Sequence, residues 1–285
     1  MAPAELLLAA LVLVGGPISA LSSGAPQPAA APAADFVLTG QFTQGGWIRG
    51  RAPADTTALL LNSAPLAMAA DGSFFAGLDR DSGPAAELIA RRSGLPDLRR
   101  KVVVSSRSWQ IERINAPLRP PALPDADFAR IRKGELARIA AARSTISDAA
   151  GWRQNFVWPL KGALRGRFGA QRIYRGTPGA YHAGLDISGA TGTPFTAPAD
   201  GVVTLAAAAP FTLEGNLLII DHGAGLSSAF LHCSQLAVKP GDRVRQGQVL
   251  GWVGKTGRAT GPHLHWALKW RDARLDPLLF VAPQG

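Results

Sequence analysis

Apolar positions change their spacing twice along this chain, and the changes divide it into segments. From residue 36 to about residue 114, short apolar runs alternate with turn residues: FVLTGQF, GGWIRGR, TTALLLN, MAADGSFFAGL, AAELIARR and KVVVSSRSWQIERI. Asp71-Gly72 is a hairpin dipeptide, and many short strands at this spacing predict a β-sandwich-like accessory module over 36–116. PLRPPALPD then interrupts the pattern. In the following DADFARIRKGELARIAAARSTISDAA, residues Phe128, Ile131, Leu136, Ile139 and Ile146 recur at approximately helical spacing among Arg and Lys. We therefore read 117–150 as a Pro-rich break and an amphipathic linking helix, which Gly134 weakens by about 1 kcal/mol relative to alanine. From Trp158 the texture becomes Gly-rich and strand-like, with Asp-Gly and Pro-Gly turns and almost no helical period. This predicts an antiparallel β-domain over 151–285 and a mainly β protein.

The first 35 residues read differently. The apolar run Leu6 to Val14 is too short to span a bilayer and suits a secretory signal over 1–20 cleaved after Ala20, although no basic residue precedes it. A short uncleaved anchor is the other reading. Residues 21–35, rich in Ala, Pro, Ser and Gly, read as a flexible tether. No other segment is apolar enough to cross a membrane, so the mature chain is expected to be exported and to have no integral span. Cys233 is the sole cysteine, which excludes an internal disulfide and a lipid-anchoring cysteine near the signal.

Charge adds a partner class. The net charge is +10, of which +7 falls in residues 151–285. That favours a polyanionic partner: nucleic acid, an anionic membrane surface or an acidic envelope polymer. The basic residues are scattered and lack interleaved aromatics, and with export expected, nucleic acid is excluded as the partner.

All five histidines lie after residue 181. In ATGPHLHW, at 259–266, a strand would place His263 and His265 on one face and Leu264 and Trp266 on the other. Two histidines on the wet face of an edge strand would look the same, so the remaining histidines decide. YHAGLD sets His182 four residues before Asp186. Together these groups supply what a catalytic zinc needs, three N/O ligands and an open fourth position; calcium and magnesium prefer all-oxygen shells.

HxxxD at 182–186, HxH at 263–265 and the intervening IIDHGAGLSSAFLHCS resemble the M23 family of zinc metallopeptidases, the lysostaphin and LytM type of peptidoglycan endopeptidase. GRFGAQRIYRG, GTPFTAPADGVV, VKPGDRVRQGQVLGWVG and the terminal LDP follow the family pattern in order, so the resemblance covers about Trp158 to Pro277. It implies a LytM-type peptidase domain over 151–285 with Zn²⁺ held by His182, Asp186 and His265. His232 and His263 would be the catalytic pair, and the sequence leaves open which is the general base. The implied activity is hydrolysis of peptide cross-links in bacterial peptidoglycan, of the D,D-endopeptidase type, with stem peptides as partner and the Gram-negative periplasm as location. A catalytically silent LytM-like activator of another wall hydrolase is the alternative, although such proteins lose zinc ligands that are all present here. A biotinyl- or lipoyl-type carrier is a third reading; it lacks a lysine at a tight hairpin and leaves the histidines unexplained. Arg165, Arg167, Arg172 and Arg175 fall where the family builds its cleft wall, and one or two of them would meet stem-peptide carboxylates. His222 matches a family position that is not a zinc ligand and is expected to be structural or to support the ligands from behind. Cys233 and Phe230 stand where the family has Leu and Tyr.

Overall fold

The computed structural model describes residues 34–117, 125–207 and 209–284. The signal expected at 1–20, the tether as far as residue 33 and the break at 118–124 lie outside the described residues.

The N-terminal strands are β1 (Val37–Gln41), β2 (Trp47–Arg51), β3 (Thr56–Leu61), β4 (Ala64–Leu66), β5 (Ser73–Gly77), β6 (Ala85–Arg92), β7 (Leu95–Val103) and β8 (Ile111–Ile114). They form a three-stranded sheet β1-β2-β5 and a four-stranded sheet β4-β3-β6-β7. Both are antiparallel and close over Ile48, Phe74, Phe75 and Leu88, as a half-buried alternating pattern requires. The Asp71-Gly72 dipeptide does make a turn: Gly72 takes φ +79°, and the Asp71 carboxylate accepts the Ser73 N–H.

β8 leaves this arrangement. It adds in parallel to β10 (Gln171–Tyr174), which with β11 (Thr177–Pro178) forms a separate three-stranded sheet. The seam continues in side chains. Trp47 and Phe75 meet Phe280 with ring centroids 5.5 and 6.3 Å apart, and Arg107 pairs with the buried Asp276 carboxylate at 2.7 Å. The described residues accordingly form one compact unit.

Helix α1 (Asp125–Ser144) lies where periodicity places it, but its packed face is not the apolar stripe. Ile131, Leu136 and Ile146 are exposed, and the buried positions are Glu135 and Ala142, flanked by half-buried Phe128, Arg132 and Ile139. These also recur every three or four residues, so the period was right and the chemistry was not. Polar groups dock the helix: Arg132 makes two 2.6 Å bonds to Glu214, and Glu135 accepts from the backbone and hydroxyl of Thr212. A half-buried ion pair of this kind holds only because every partner is satisfied.

The remaining strands are β9 (Leu164–Gly166), β12 (Leu185–Ser188), β13 (Pro194–Thr196), β14 (Gly201–Ala206), β15 (Asn216–Asp221), β16 (Leu226–Cys233), β17 (Gln235–Leu236), β18 (Arg243–Val244), β19 (Val249–Trp252), β20 (His263–Trp270) and β21 (Ala273–Leu275). The principal sheet runs β18-β14-β15-β16-β20-β12-β9, with β21 beside β20, and all its pairs are antiparallel. Its two faces are unlike. One buries Leu264, Trp266, Leu268 and Phe230 in the core. The other carries Ile219 and Ala229 under α1, then the half-exposed strip His263, His265, Ala267 and Lys269 on β20.

Candidate metal centre

Register brings the expected ligands together. In the β12–β20 pair Asp186 stands opposite His265, so the two side chains share a face. His182 reaches the same point from the loop before β12. That loop is pinned by reciprocal backbone bonds, the Gly169 N–H donating to the His182 carbonyl and the His182 N–H to that of Ala170. The His182 Nδ1–H donates to the Arg167 carbonyl at 3.1 Å, leaving Nε2 facing Asp186. Three atoms then form a triangle: His182 Nε2 to Asp186 Oδ1 is 3.0 Å, His265 Nδ1 to Asp186 Oδ1 is 2.8 Å, and His182 Nε2 to His265 Nδ1 is 3.1 Å. His182, Asp186 and His265 are the group among the described residues whose ligand atoms could hold one ion.

The fit to zinc can be tested on these edges. Bonds of about 2.0–2.1 Å at tetrahedral angles separate ligand atoms by about 3.3 Å, so small outward movements of each atom accommodate the ion. Two imidazole nitrogens and one carboxylate oxygen are also a zinc donor set rather than a calcium or magnesium one. Two glycines leave room for it. A Cβ on Gly184 would meet the Trp266 carbonyl at 2.5 Å and His265 Nε2 at 2.8 Å, and one on Gly166 would run into the Asp186 carboxylate.

Electrostatics follow from half-burial. Burial opposes ionisation of Asp186, but bonds from His182 and His265 outweigh it and hold the carboxyl far below the usual carboxylate range. For His182, burial is likewise overcome by the Asp186 carboxylate, and its pKa is raised. His265 is pushed down, chiefly by burial.

Two further imidazoles border the triangle. The rings of His232 and His263 are 4.9 Å apart, and His263 Nε2 lies 3.6 Å from Asp186 Oδ1. Each Nδ1–H donates to a backbone carbonyl at 2.8 Å, His232 to Thr256 and His263 to Gly261. A carbonyl only accepts, so the neutral form of each ring is the tautomer with an unprotonated Nε2. Burial keeps the His232 pKa low.

Regular alternation would turn His232 away from this site, because Leu231 is the residue paired with His265. His232 instead adopts φ +65°, at the register shift between β15 and β16, and the reversal carries its ring to the histidine face. Its N–H donates to the Glu214 carbonyl, which ties the reversal to the segment that docks α1. Thr256 and Gly261, which orient the two rings, were not singled out from the sequence; their only signal is their place in Gly-rich turns around HxH.

The four arginines before His182 divide. Arg172 pairs with Glu112 of β8 at 2.8 Å, Arg165 bonds the Ser188 hydroxyl at 2.9 Å, Arg167 offers its carbonyl to His182, and Arg175 is exposed.

His222 lies apart from the site, fully buried, donating from Nδ1 to the Asp200 carbonyl and accepting from the Ser228 hydroxyl. Burial lowers its pKa from the ordinary 6.5 to about 4. The unfolded chain thus takes up a proton at higher pH than the folded one, and acidification favours unfolding. Stability supported by neutral His222 is expected to be complete above about pH 6.5 and to decline by about 3 kcal/mol as pH falls to about 4. Urea unfolding across that window checks this, with His222→Gln showing a shallower decline. Cys233 is buried and its thiol is pushed up to about 12, so it behaves as a core hydrophobe.

Comparison with known proteins agrees with this geometry. The profile of peptidase family M23 matches residues 180–277, which contain all five histidines and Asp186. A solved Pseudomonas aeruginosa protein assigned to peptidase M23 is 28% identical, with a TM-score of 0.64 over 84% of this chain and 94% of that one. Two curated relatives are the cell division protein DipM of Caulobacter vibrioides, 36% identical over 144 residues, and the peptidoglycan DD-endopeptidase ShyA of Vibrio cholerae, 38% identical over 133. Those segments cover 50% and 46% of this chain but only 23% and 30% of the relatives, so the chain spans less than a third of their length. With profile, solved relative and converging side chains in agreement, residues 180–277 match peptidase family M23.

Proposed function

We propose that this protein is a zinc-dependent endopeptidase that hydrolyses peptide cross-links of bacterial peptidoglycan, of the D,D type, in the periplasm of a Gram-negative cell. The observation that carries this reading is the triangle of His182 Nε2, Asp186 Oδ1 and His265 Nδ1, with edges of 2.8 to 3.1 Å, flanked by two imidazoles of fixed tautomer. His182, Asp186 and His265 would hold the zinc. When bound it would supply a Lewis acid for the scissile carbonyl and a water of lowered pKa. His263 and His232 each turn an unprotonated Nε2 to the site, so one can accept the proton of the attacking water while the other, once protonated, donates to the departing amine or the developing oxyanion. The carbonyls of Thr256 and Gly261 keep both rings from rotating out of register.

The name of the Vibrio cholerae relative, a peptidoglycan DD-endopeptidase, supports the bond type. The basic peptidase half suits an acidic wall polymer. The zinc-loaded chain is expected to convert cross-linked muropeptide dimers to monomers, read by mass spectrometry of the products. Intact dimers together with stimulation of a separate amidase would replace this reading with the activator one.

A further inference from the structure

The half-exposed strip on β20 ends in a cluster of cations that the chemistry above does not use. Four residues beyond His265 on the same face stands Lys269, about 13 Å along the strand. Across the sheet Lys269 pairs with Ser227 on one side and Arg274 on the other, and the third cation, Arg143 in the last turn of α1, donates to the Ser227 hydroxyl at 3.2 Å. Arg274 lies over the ring of Tyr181, the residue before His182, at 5.1 Å. Between His265 and Lys269 the same face carries only the small side chain of Ala267, whose partner Ala229 shares a buried cluster with Ala142 of α1. The strip thus has the ligand triangle toward one end and three positive side chains toward the other.

These cations are short of counter-charge. Among the described residues, Asp272 is the carboxylate that pairs with Lys269, at 3.5 Å, and it is fully exposed; none pairs with Arg143 or Arg274. Glu214 acts on Arg143 from a distance while its own oxygens are taken by Arg132, and the Asp79 carboxylate accepts the backbone N–H of Arg274. Burial, then Arg274, holds the Arg143 guanidinium down to about 10, and burial, then Arg143, lowers Lys269. A bound anion would relieve both the desolvation and the mutual repulsion.

Resting on the peptidase reading, we infer that Arg143, Lys269 and Arg274 form a carboxylate-binding subsite. It seats an acidic group of the peptide substrate about four extended residues from the scissile bond and so sets which bond reaches the histidines. The three residues are specificity determinants rather than catalytic residues, since they lie too far away to touch the reacting atoms.

The test measures binding and cleavage separately on the full-length, zinc-loaded chain. Calorimetry on a His263→Ala background compares a stem-peptide dimer bearing free carboxylates with the same dimer fully amidated. The free-acid dimer is expected to bind about ten-fold more tightly, the scale of one charge-assisted hydrogen bond. Adding Lys269→Gln with Arg274→Gln should erase that preference, whereas Lys269→Arg with Arg274→Lys should keep it. Equal binding of the two dimers, or a preference that survives the paired Gln substitutions, overturns the subsite. Cleavage by the wild-type chain without any preference would sink the subsite and leave the peptidase reading intact. A preference lost on the Gln substitutions in a chain that cleaves no dimer would do the reverse.

Discussion

Replacing His182 with alanine is expected to leave a folded chain holding less than about a tenth of an equivalent of zinc, against about one in the wild type, with hydrolysis reduced at least about 1,000-fold. Two neutral nitrogens and one carboxylate oxygen form the triangle, and removing one leaves a two-point site that cannot compete with water for the ion. The several kcal/mol by which a bound metal stabilises developing charge would go with it. The fold should survive, because the loop carrying His182 is held by backbone bonds to Gly169 and Ala170 that do not involve the imidazole. Metal analysis beside a thermal melt checks the pairing; a variant that keeps its zinc while losing activity would show that His182 is not a ligand.

His263→Ala should give the opposite signature, with zinc retained near one equivalent and the rate reduced about 10²- to 10⁴-fold, the range for loss of a positioned acid or base. Its ring is not part of the three-atom triangle, and its Nε2 lies 3.6 Å from Asp186 Oδ1, close enough to reach a water that a bound ion would hold. His232→Ala should behave alike. The double variant should lose much less than the product of the two single losses, because residues that act as one unit are strongly non-additive. Zinc content and single-turnover rates of the three variants decide this, and a zinc-free His263→Ala would refute the division of roles.

The legible part of this site was the part written in short-range pattern. Alternation alone places His263 and His265 on one face, and β20 is a regular strand with a half-exposed histidine side and a buried tryptophan side. That Asp186 meets His265 depends on the pairing of strands 79 residues apart, which no local period encodes. His232 is harder still, because regular alternation aims it at the core, and only a left-handed backbone conformation reverses it. Family resemblance supplied its expected role where residue spacing could not. The linking helix failed differently: three of the five apolar residues chosen for the packed face, Ile131, Leu136 and Ile146, are exposed, and Phe128 and Ile139 share the packed face with Glu135 and Arg132, whose partners Thr212 and Glu214 come from a distant turn. The parallel addition of β8 to β10 was invisible for the same reason of distance.

That addition has a consequence for how the molecule comes apart. Stripping away the N-terminal strands would bare the backbone edge of β10, uncover Phe280 and strand the Asp276 carboxylate without its guanidinium, all at once. No weak line therefore runs between the two halves along which one could melt while the other endured. Calorimetry is expected to show one unfolding transition, with the histidine site and the N-terminal strands lost together.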